Sequence, residues 1–76
     1  MSKRVKTEEV RVEEGKLASD EVTDLEIFVK DKKIGSIFQE TADGQIQLTY
    51  MNDRKGSAVS IDEGLHSIIA DYNLHN

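Results

Sequence analysis

The chain of 76 residues has no cysteine and no proline, is 37% hydrophobic and carries a formal net charge of −5. A chain of this size holds one small core, and without cysteine it forms neither a disulfide nor a thiolate metal site. The lack of cysteine and of an apolar leader predicts a cytoplasmic protein, and no stretch has the roughly 18 consecutive apolar residues of a membrane helix. We therefore treat residues 1–76 as a single small domain and expect its ends, residues 1–4 and 75–76, to be flexible.

Alternation of apolar and charged residues predicts the first two strands. In residues 10–14, VRVEE, valines alternate with charged residues, and the strand can begin as early as Val5. Residues 22–30 continue the period-two pattern, with Phe28 on the face opposite to the aliphatic residues. The elements that follow are a turn at 31–33, a strand over 34–38, an Asp-Gly turn at 42–44, a strand over 45–51, a turn at 52–56 and a short candidate fifth strand over 57–60.

The period changes near residue 60 and predicts a C-terminal helix. Ser60 and Glu63 fit a capping box at its start, whereas Gly64 costs about 1 kcal/mol against alanine in a helix interior. One apolar stripe runs along the helix through Ile61, Leu65, Ile68, Ile69 and Tyr72. The elements together predict an α+β fold: an antiparallel β-meander of four or five strands with one C-terminal amphipathic helix packed on one face.

Alternate turns of a meander share one end, so the N-terminus and the turns at 31–33 and 52–56 come together. This basic end holds eight basic and two acidic residues, a formal charge of +6, while the rest of the chain carries −11. A helix that returns to the same end adds Asp71 and lowers the charge of that end to +5. The candidate residues for binding an anion or a partner are Lys30, Lys32, Lys33, Arg54 and Lys55.

Two interpretations of these basic turns stand side by side. Lysine and arginine are common in solvated turns, where charge also discourages strand-to-strand aggregation, and runs of charge are usually solvated faces. Alternatively, the basic end binds an anionic partner, such as nucleic acid or an acidic protein surface, with a steep dependence on salt.

The chain offers poor material for catalysis or for a cofactor. Asp62 and His66 lie at i, i+4 on the helix, but two ligands fall short of the three or four in zinc sites. Neither a glycine-rich phosphate loop nor a GxSxG elbow occurs. Phe28 and Phe38 could stack bases only if both faced outward, and we expect them to pack under the helix or at a sheet edge. We expect no metal, no cofactor and no enzyme activity.

Three features in order carry a resemblance to a known family: KKIGSI, the Asp-Gly turn, and the closing SIDEGLHSIIADYNLH. Together they resemble a bacterial family of short acidic cytosolic proteins classed as a domain of unknown function. The resemblance covers nearly the whole chain, implies a bacterial cytosolic protein and brings no catalytic residues with it. A looser similarity is to double-stranded-RNA-binding and arm-type integrase domains, but Asp62 and Glu63 stand where the former have lysines.

The sequence therefore predicts a small non-catalytic interaction module with an unidentified protein partner and no membrane association. It is expected to be a monomer or a weak homodimer formed through an unpaired strand edge. The alternative is a nucleic-acid-associated accessory protein that binds through the basic end.

Overall fold

A computed structural model describes residues 10–75, with side chains through residue 74. Five antiparallel strands form one sheet in the order β1-β2-β3-β4-β5, so the predicted α+β meander is confirmed with five strands. The elements are β1 (Val10–Glu14), β2 (Thr23–Val29), β3 (Lys32–Gln39), β4 (Ile46–Tyr50), β5 (Lys55–Ala58) and α1 (Ile61–His75). The early strand start at Val5 and the predicted flexible residues 1–4 and 76 lie outside the described part of the chain, and His75 is the last residue of α1.

The core lies between one face of the sheet and α1, which packs on β3, β4 and β5. The predicted helix stripe faces this core, with Ile68 fully buried and the rest of the stripe partly buried. The buried side chains are Ile27, Val29, Ile34, Ile37, Ile46, Leu48 and Ile68. The opposite face, which we call the open face, carries the other alternate residues of the strands, among them Glu26, Phe28, Lys33, Ser36, Phe38, Thr49 and Lys55.

A β-bulge interrupts the pairing of β2 with β3. Ile27 pairs with Gly35 while Phe28 pairs with Lys33, which leaves Ile34 as an extra residue in β3. The extra residue bends the strand and turns the Ile34 side chain into the core, where it is 1% exposed. The bulge thus adds a core side chain that strict alternation along β3 would have placed on the open face.

The β2–β3 turn is shorter than the sequence predicted. Val29 pairs directly with Lys32, so the turn consists of Lys30 and Asp31, and Lys32 and Lys33 belong to β3. The prediction of a turn over 31–33 was wrong because the strands pair up to a two-residue hairpin loop. The fifth strand likewise lies at 55–58 rather than 57–60.

The start of α1 carries the predicted Ser60 cap, while the Glu63 carboxylate bonds the amide of Val59, one residue before the cap, rather than that of Ser60. The Glu63 amide donates to the Ser60 hydroxyl at 3.1 Å, and the Glu63 carboxylate accepts from the Val59 amide at 2.9 Å. Gly64, which follows, is buried, and a Cβ there would lie 2.8 Å from Cδ2 of Leu48. The glycine therefore lets the helix backbone approach the sheet closely, which accounts for a residue of low helix propensity at this position.

β1 lies beyond the part of the sheet that the helix covers. Every residue of β1 is exposed, and Val10 and Val12 keep 40% and 43% of their surface. The two valines pair with Val29 and Ile27, so they continue the core-facing side of the sheet. Within residues 10–75, no helix combines the length and apolar character needed to cross a membrane.

Candidate functional site

The helix returns to the end of the sheet that holds the two basic turns. Arg54, in the turn between β4 and β5, forms an ion pair with Asp71 near the end of α1. Lys3, Arg4 and Lys6, which the sequence assigned to the same end, lie outside the described residues. With the carboxylates that pair with its basic residues, the described part of the basic end holds six basic and five acidic residues, a formal charge of +1: Arg11, Lys30, Lys32, Lys33, Arg54 and Lys55 against Glu13, Glu26, Asp31, Asp53 and Asp71.

Arg54 is engaged by the protein itself. Its guanidinium lies 5.0 Å from the ring centroid of Tyr50, its Nε donates to Asn52 Oδ1 at 3.1 Å, and its Nη2 bonds the Asp71 carboxylate. The Tyr50 and Ser67 hydroxyls share a hydrogen bond of 2.9 Å beside this cluster. Arg54 therefore ties the turn to the helix, and Asp71 compensates its charge.

Lys33 and Lys55 both lie on the open face. Lys33 Nζ is 3.8 Å from a Glu26 carboxylate oxygen, and Lys55 Nζ donates to Thr49 Oγ1 at 3.3 Å. Between the two lysines, Ser36 and Thr49 pair across β3 and β4, so their hydroxyls share one row of the face. A shallow cleft of about 180 Å³ is lined by Lys33, Ser36 and Thr49 and also by Asp53. Its ammonium and hydroxyl groups can donate to an anionic oxygen, while Glu26 and Asp53 place two carboxylates beside them.

The two remaining predicted residues point to different parts of the surface. Lys32 pairs with Val29 and is on the side of the sheet that faces the helix. Lys30 occupies the turn itself with a φ of 59°, a left-handed conformation that is uncommon for a residue with a side chain. The five predicted residues thus share one end of the molecule but do not form one surface, and their role in binding stays a prediction.

Sequence reasoning missed Arg11, which it grouped with the rest of the chain. The pairing of β1 with β2 places Arg11 opposite Phe28, with the guanidinium 4.9 Å from the ring centroid. Arg11 Nε bonds the Glu13 carboxylate at 2.6 Å, and Nη1 donates to the Lys30 carbonyl at 3.2 Å. Aligning the two valines of β1 with the aliphatic residues of β2 is the signal that would have brought Arg11 to the basic end.

Both phenylalanines lie on the open face. The predicted position of Phe28 opposite to the aliphatic residues of its strand is confirmed, whereas packing under the helix, one of the two expected positions, is wrong for both rings. Phe28 is half-buried beneath Arg11. Phe38, also half-buried, pairs with Asp24 and Gln47. An open cleft of about 410 Å³ runs from Phe38 past Thr49 to Lys55. The open face therefore places an aromatic ring beside the hydroxyl and ammonium groups described above.

The metal prediction concerns His66 and Asp62, both exposed on α1. Among residues 10–75, no cluster of three or more histidine, aspartate or glutamate side chains is placed to hold a metal ion. The expectations of no cofactor and no enzyme activity stay predictions.

The chain belongs to the family described as Protein of unknown function (DUF2969), whose model matches residues 1–75. This confirms the resemblance to a domain of unknown function over nearly the whole chain. Its bacterial source stays a prediction. No curated protein and no solved structure gives a significant match.

Proposed function

We propose that the protein is a non-catalytic interaction module of the cytoplasm that binds an acidic protein partner across its open face. The observation that carries the proposal is the row of Ser36, Thr49 and Lys55 on the face that the helix does not cover, with Lys33 and Phe38 on either side of Ser36 along β3. Glu26 is the β2 residue of the same row. Aromatic side chains are enriched at protein interfaces, and complementary charges steer partners into register.

The charge distribution supports binding in one orientation. The whole chain carries −5, so an acidic partner is repelled by most of the surface. Lys33 and Lys55 are exposed on the open face, and the basic end beside it has a formal charge of +1 over the described residues, against −7 for the other described residues. An acidic partner approaching this side gains attraction that the rest of the molecule does not offer.

A pair of charge reversals tests the proposal. The variant Lys55→Glu changes the open face, and Lys16→Glu, in the exposed loop between β1 and β2, makes the same change in net charge away from both the open face and the basic end. Proteins captured from native cytosol by the wild type are purified, and the affinity of each for the three forms is measured by calorimetry. We expect the open-face variant to bind at least about tenfold more weakly and the control to stay within about threefold. Equal affinities for the two variants would overturn the proposal.

A second candidate is binding of single-stranded nucleic acid by the same face, favoured by the position of Phe38. Single-strand-binding sheets combine an exposed aromatic ring, on which a base stacks, with basic groups along the backbone of the strand. Phe38 shares an open cleft with Thr49 and Lys55. Phe28 is less suited to stacking because Arg11 covers its ring.

An amide NMR titration distinguishes this candidate from the first. A single-stranded oligonucleotide, a DNA duplex and an RNA hairpin are added at low salt and then at about 150 mM salt, where exposed charges are screened beyond about 8 Å. Nucleic-acid binding predicts shifts at Phe38, Thr49 and Lys55 that favour the single strand, persist at the higher salt and are lost in Phe38→Ala. If all shifts vanish at the higher salt, the lysines are solvated surface charges. If Phe38→Ala binds as tightly as the wild type, no base stacks on the Phe38 ring, and this candidate function is wrong.

A further inference from the structure

We propose that two copies of the chain pair through the free edge of β1, forming a two-fold dimer with one continuous ten-stranded sheet. The interface is different from the open face and does not depend on the function proposed above. The partner is identified by the sequence of β1 itself, VRVEE, whose central residues Arg11, Val12 and Glu13 are complementary to their own reverse, while Val10 lies opposite Glu14 at either end.

β1 is the first strand in the sheet order, and within residues 10–75 no strand pairs with its outer edge. Its five residues are all exposed. An edge of this kind presents unpaired backbone donors and acceptors, which another strand can satisfy. Natural proteins blunt such edges with a bulge, a proline, a covering element or charged side chains. The register of β1 with β2 is regular, and the charges of β1 are of both signs, so they oppose some pairings and favour others.

Symmetry restricts how two copies of β1 can pair. Residues directly opposite each other in an antiparallel pair lie on the same face of the sheet. A two-fold axis perpendicular to the sheet must therefore lie at a position where one residue is directly opposite the same residue of the second copy. An axis between two consecutive residues would put side chains from opposite faces of the sheet directly across from each other. With the axis at Val12, that residue meets Val12 of the second copy, and Arg11 meets the second copy's Glu13 on both sides of the axis.

Like charges disfavour the axes at Arg11, Glu13 and Glu14, and the axis at Val12 is preferred over one at Val10 because it pairs all five residues of β1. An axis at Arg11 would oppose two arginines, and an axis at Glu13 would oppose two glutamates, which destabilises the pairing. Arg11 and Glu13 are half-exposed, with 49% and 51% of their side-chain surface accessible. Within its own chain Arg11 uses Nε for Glu13 and Nη1 for the Lys30 carbonyl, and a guanidinium has five N–H donors. The Nη2 group can therefore bond Glu13 of the second copy.

The apolar side of β1 supports the same pairing. Val10 and Val12 keep 40% and 43% of their surface in the single chain. In the dimer the Val12 side chain contacts Val12 of the second copy. Val10 lies diagonally across from the second copy's Val12, close enough for the two aliphatic side chains to touch. Five residues per strand give an interface smaller than the roughly 800 Å² per partner of stable complexes, so we expect a dissociation constant of roughly 100 µM.

The dimer places both helices on one side of the sheet and both open faces on the other. A partner that binds one open face can then contact a second, identical one in the same plane. Such a bivalent surface raises the overall affinity without a new contact within either site.

Charge reversal with rescue tests the register. In Arg11→Glu and in Glu13→Arg, opposite residues of the dimer carry like charges, so each variant alone should stay monomeric in sedimentation velocity up to about 1 mM. Mixing the two variants restores Arg–Glu pairs at every position, and the double variant R11E/E13R also restores them at the net charge of the wild type. We expect dimers in the mixture, the double variant and the wild type.

A cysteine placed on the axis gives an independent readout, because the chain has no cysteine of its own. Val12→Cys should form an intermolecular disulfide in oxidised glutathione at least about tenfold faster than Val59→Cys, since opposite Cβ atoms lie about 4.5–5.5 Å apart. Circular dichroism of each variant verifies folding. Monomeric wild type at about 1 mM, no dimer in the mixed variants, or equal oxidation rates of the two cysteines would each overturn the proposal.

Discussion

The half of the sheet under α1 and the end formed by β1 have the same alternation of apolar residues but differ in how far they bury them. Ile37 and Leu48 in β3 and β4 are 0% exposed, whereas Val12 in β1 is 43% exposed. Alternation thus shows which residues share a face of a strand. Whether that face is covered depends on where the helix lies, and only covered residues contribute their full apolar area to stability.

Two glycines favour docking of the helix over β3 and β4. A Cβ at Gly35 would lie 2.7 Å from both the Thr49 carbonyl oxygen and Cγ2 of Ile68. A Cβ at Gly64, on the helix, would lie 2.8 Å from Cδ2 of Leu48. The glycines thus allow close approach of backbone from both sides, and the β1 and β2 segments contain none. The covered half is built for packing, and the β1 end remains open to a partner.

The largest contrast is expected from matched truncations in the two regions. Leu48→Ala should lower the free energy of unfolding by about 2–5 kcal/mol, because it removes a fully buried side chain and leaves a cavity. Val12→Ala should lower it by about 0.5 kcal/mol or less at concentrations where the chain is monomeric, because its side chain is half-exposed. Urea unfolding of both variants measures the difference. Equal losses would show that the two ends of the sheet contribute alike.

A smaller loss is expected when a side chain is added between β3 and the helix. Gly35→Ala forces a methyl group against the Thr49 carbonyl, which cannot rotate away, so it should cost about 1–3 kcal/mol. Gly44→Ala is the matched control, because the nearest atom to its Cβ is the Thr41 hydroxyl, which can turn aside. If Gly35→Ala is no less stable than the control in thermal unfolding, the helix does not lie as close to β3 as described.

The helix cap contributes less again. Ser60→Ala removes the acceptor for the Glu63 amide and should cost about 1 kcal/mol. Ser57→Ala, at an exposed position of β5, should stay within about 0.5 kcal/mol of the wild type. Chemical denaturation followed by circular dichroism at a helix wavelength compares the two, and a stability of Ser60→Ala equal to that of Ser57→Ala would contradict the capping role.

Local patterns were sufficient to predict most of the fold. The helix and its Ser60 cap follow from spacing within a few residues, and β4 follows from strict alternation through Ile46 and Leu48. The bulge at Ile34 did not follow, because a bulge is a property of two paired strands and the alternation along β3 alone does not show it. The shorter β2–β3 turn was missed for the same reason.

The candidate site was predicted less well because its residues are brought together by strand pairing. The sharing of one end by alternate turns correctly predicted the end of the molecule at which Lys33 and Lys55 lie. Only the pairing register shows that these two lysines are on the open face and Lys32 is on the other face. Arg54 looked like a free surface charge until the helix brought Asp71 beside it. Phe38 looked like a core residue because hydrophobicity does not reveal which face a helix will cover.

The central claim is that the half of the sheet under α1 provides the stability of the fold, while the edge of β1 is available to a second copy. Residue-resolved amide hydrogen exchange at two protein concentrations tests this claim most directly. At both about 20 µM and about 1 mM, amides of β3, β4 and α1 should be far better protected than those of β1, since they exchange only through global unfolding. The β1 amides that point away from β2 should exchange rapidly at the low concentration and at least about threefold more slowly at the high one. Protection of those β1 amides that matches β4 and does not change with concentration would contradict the account.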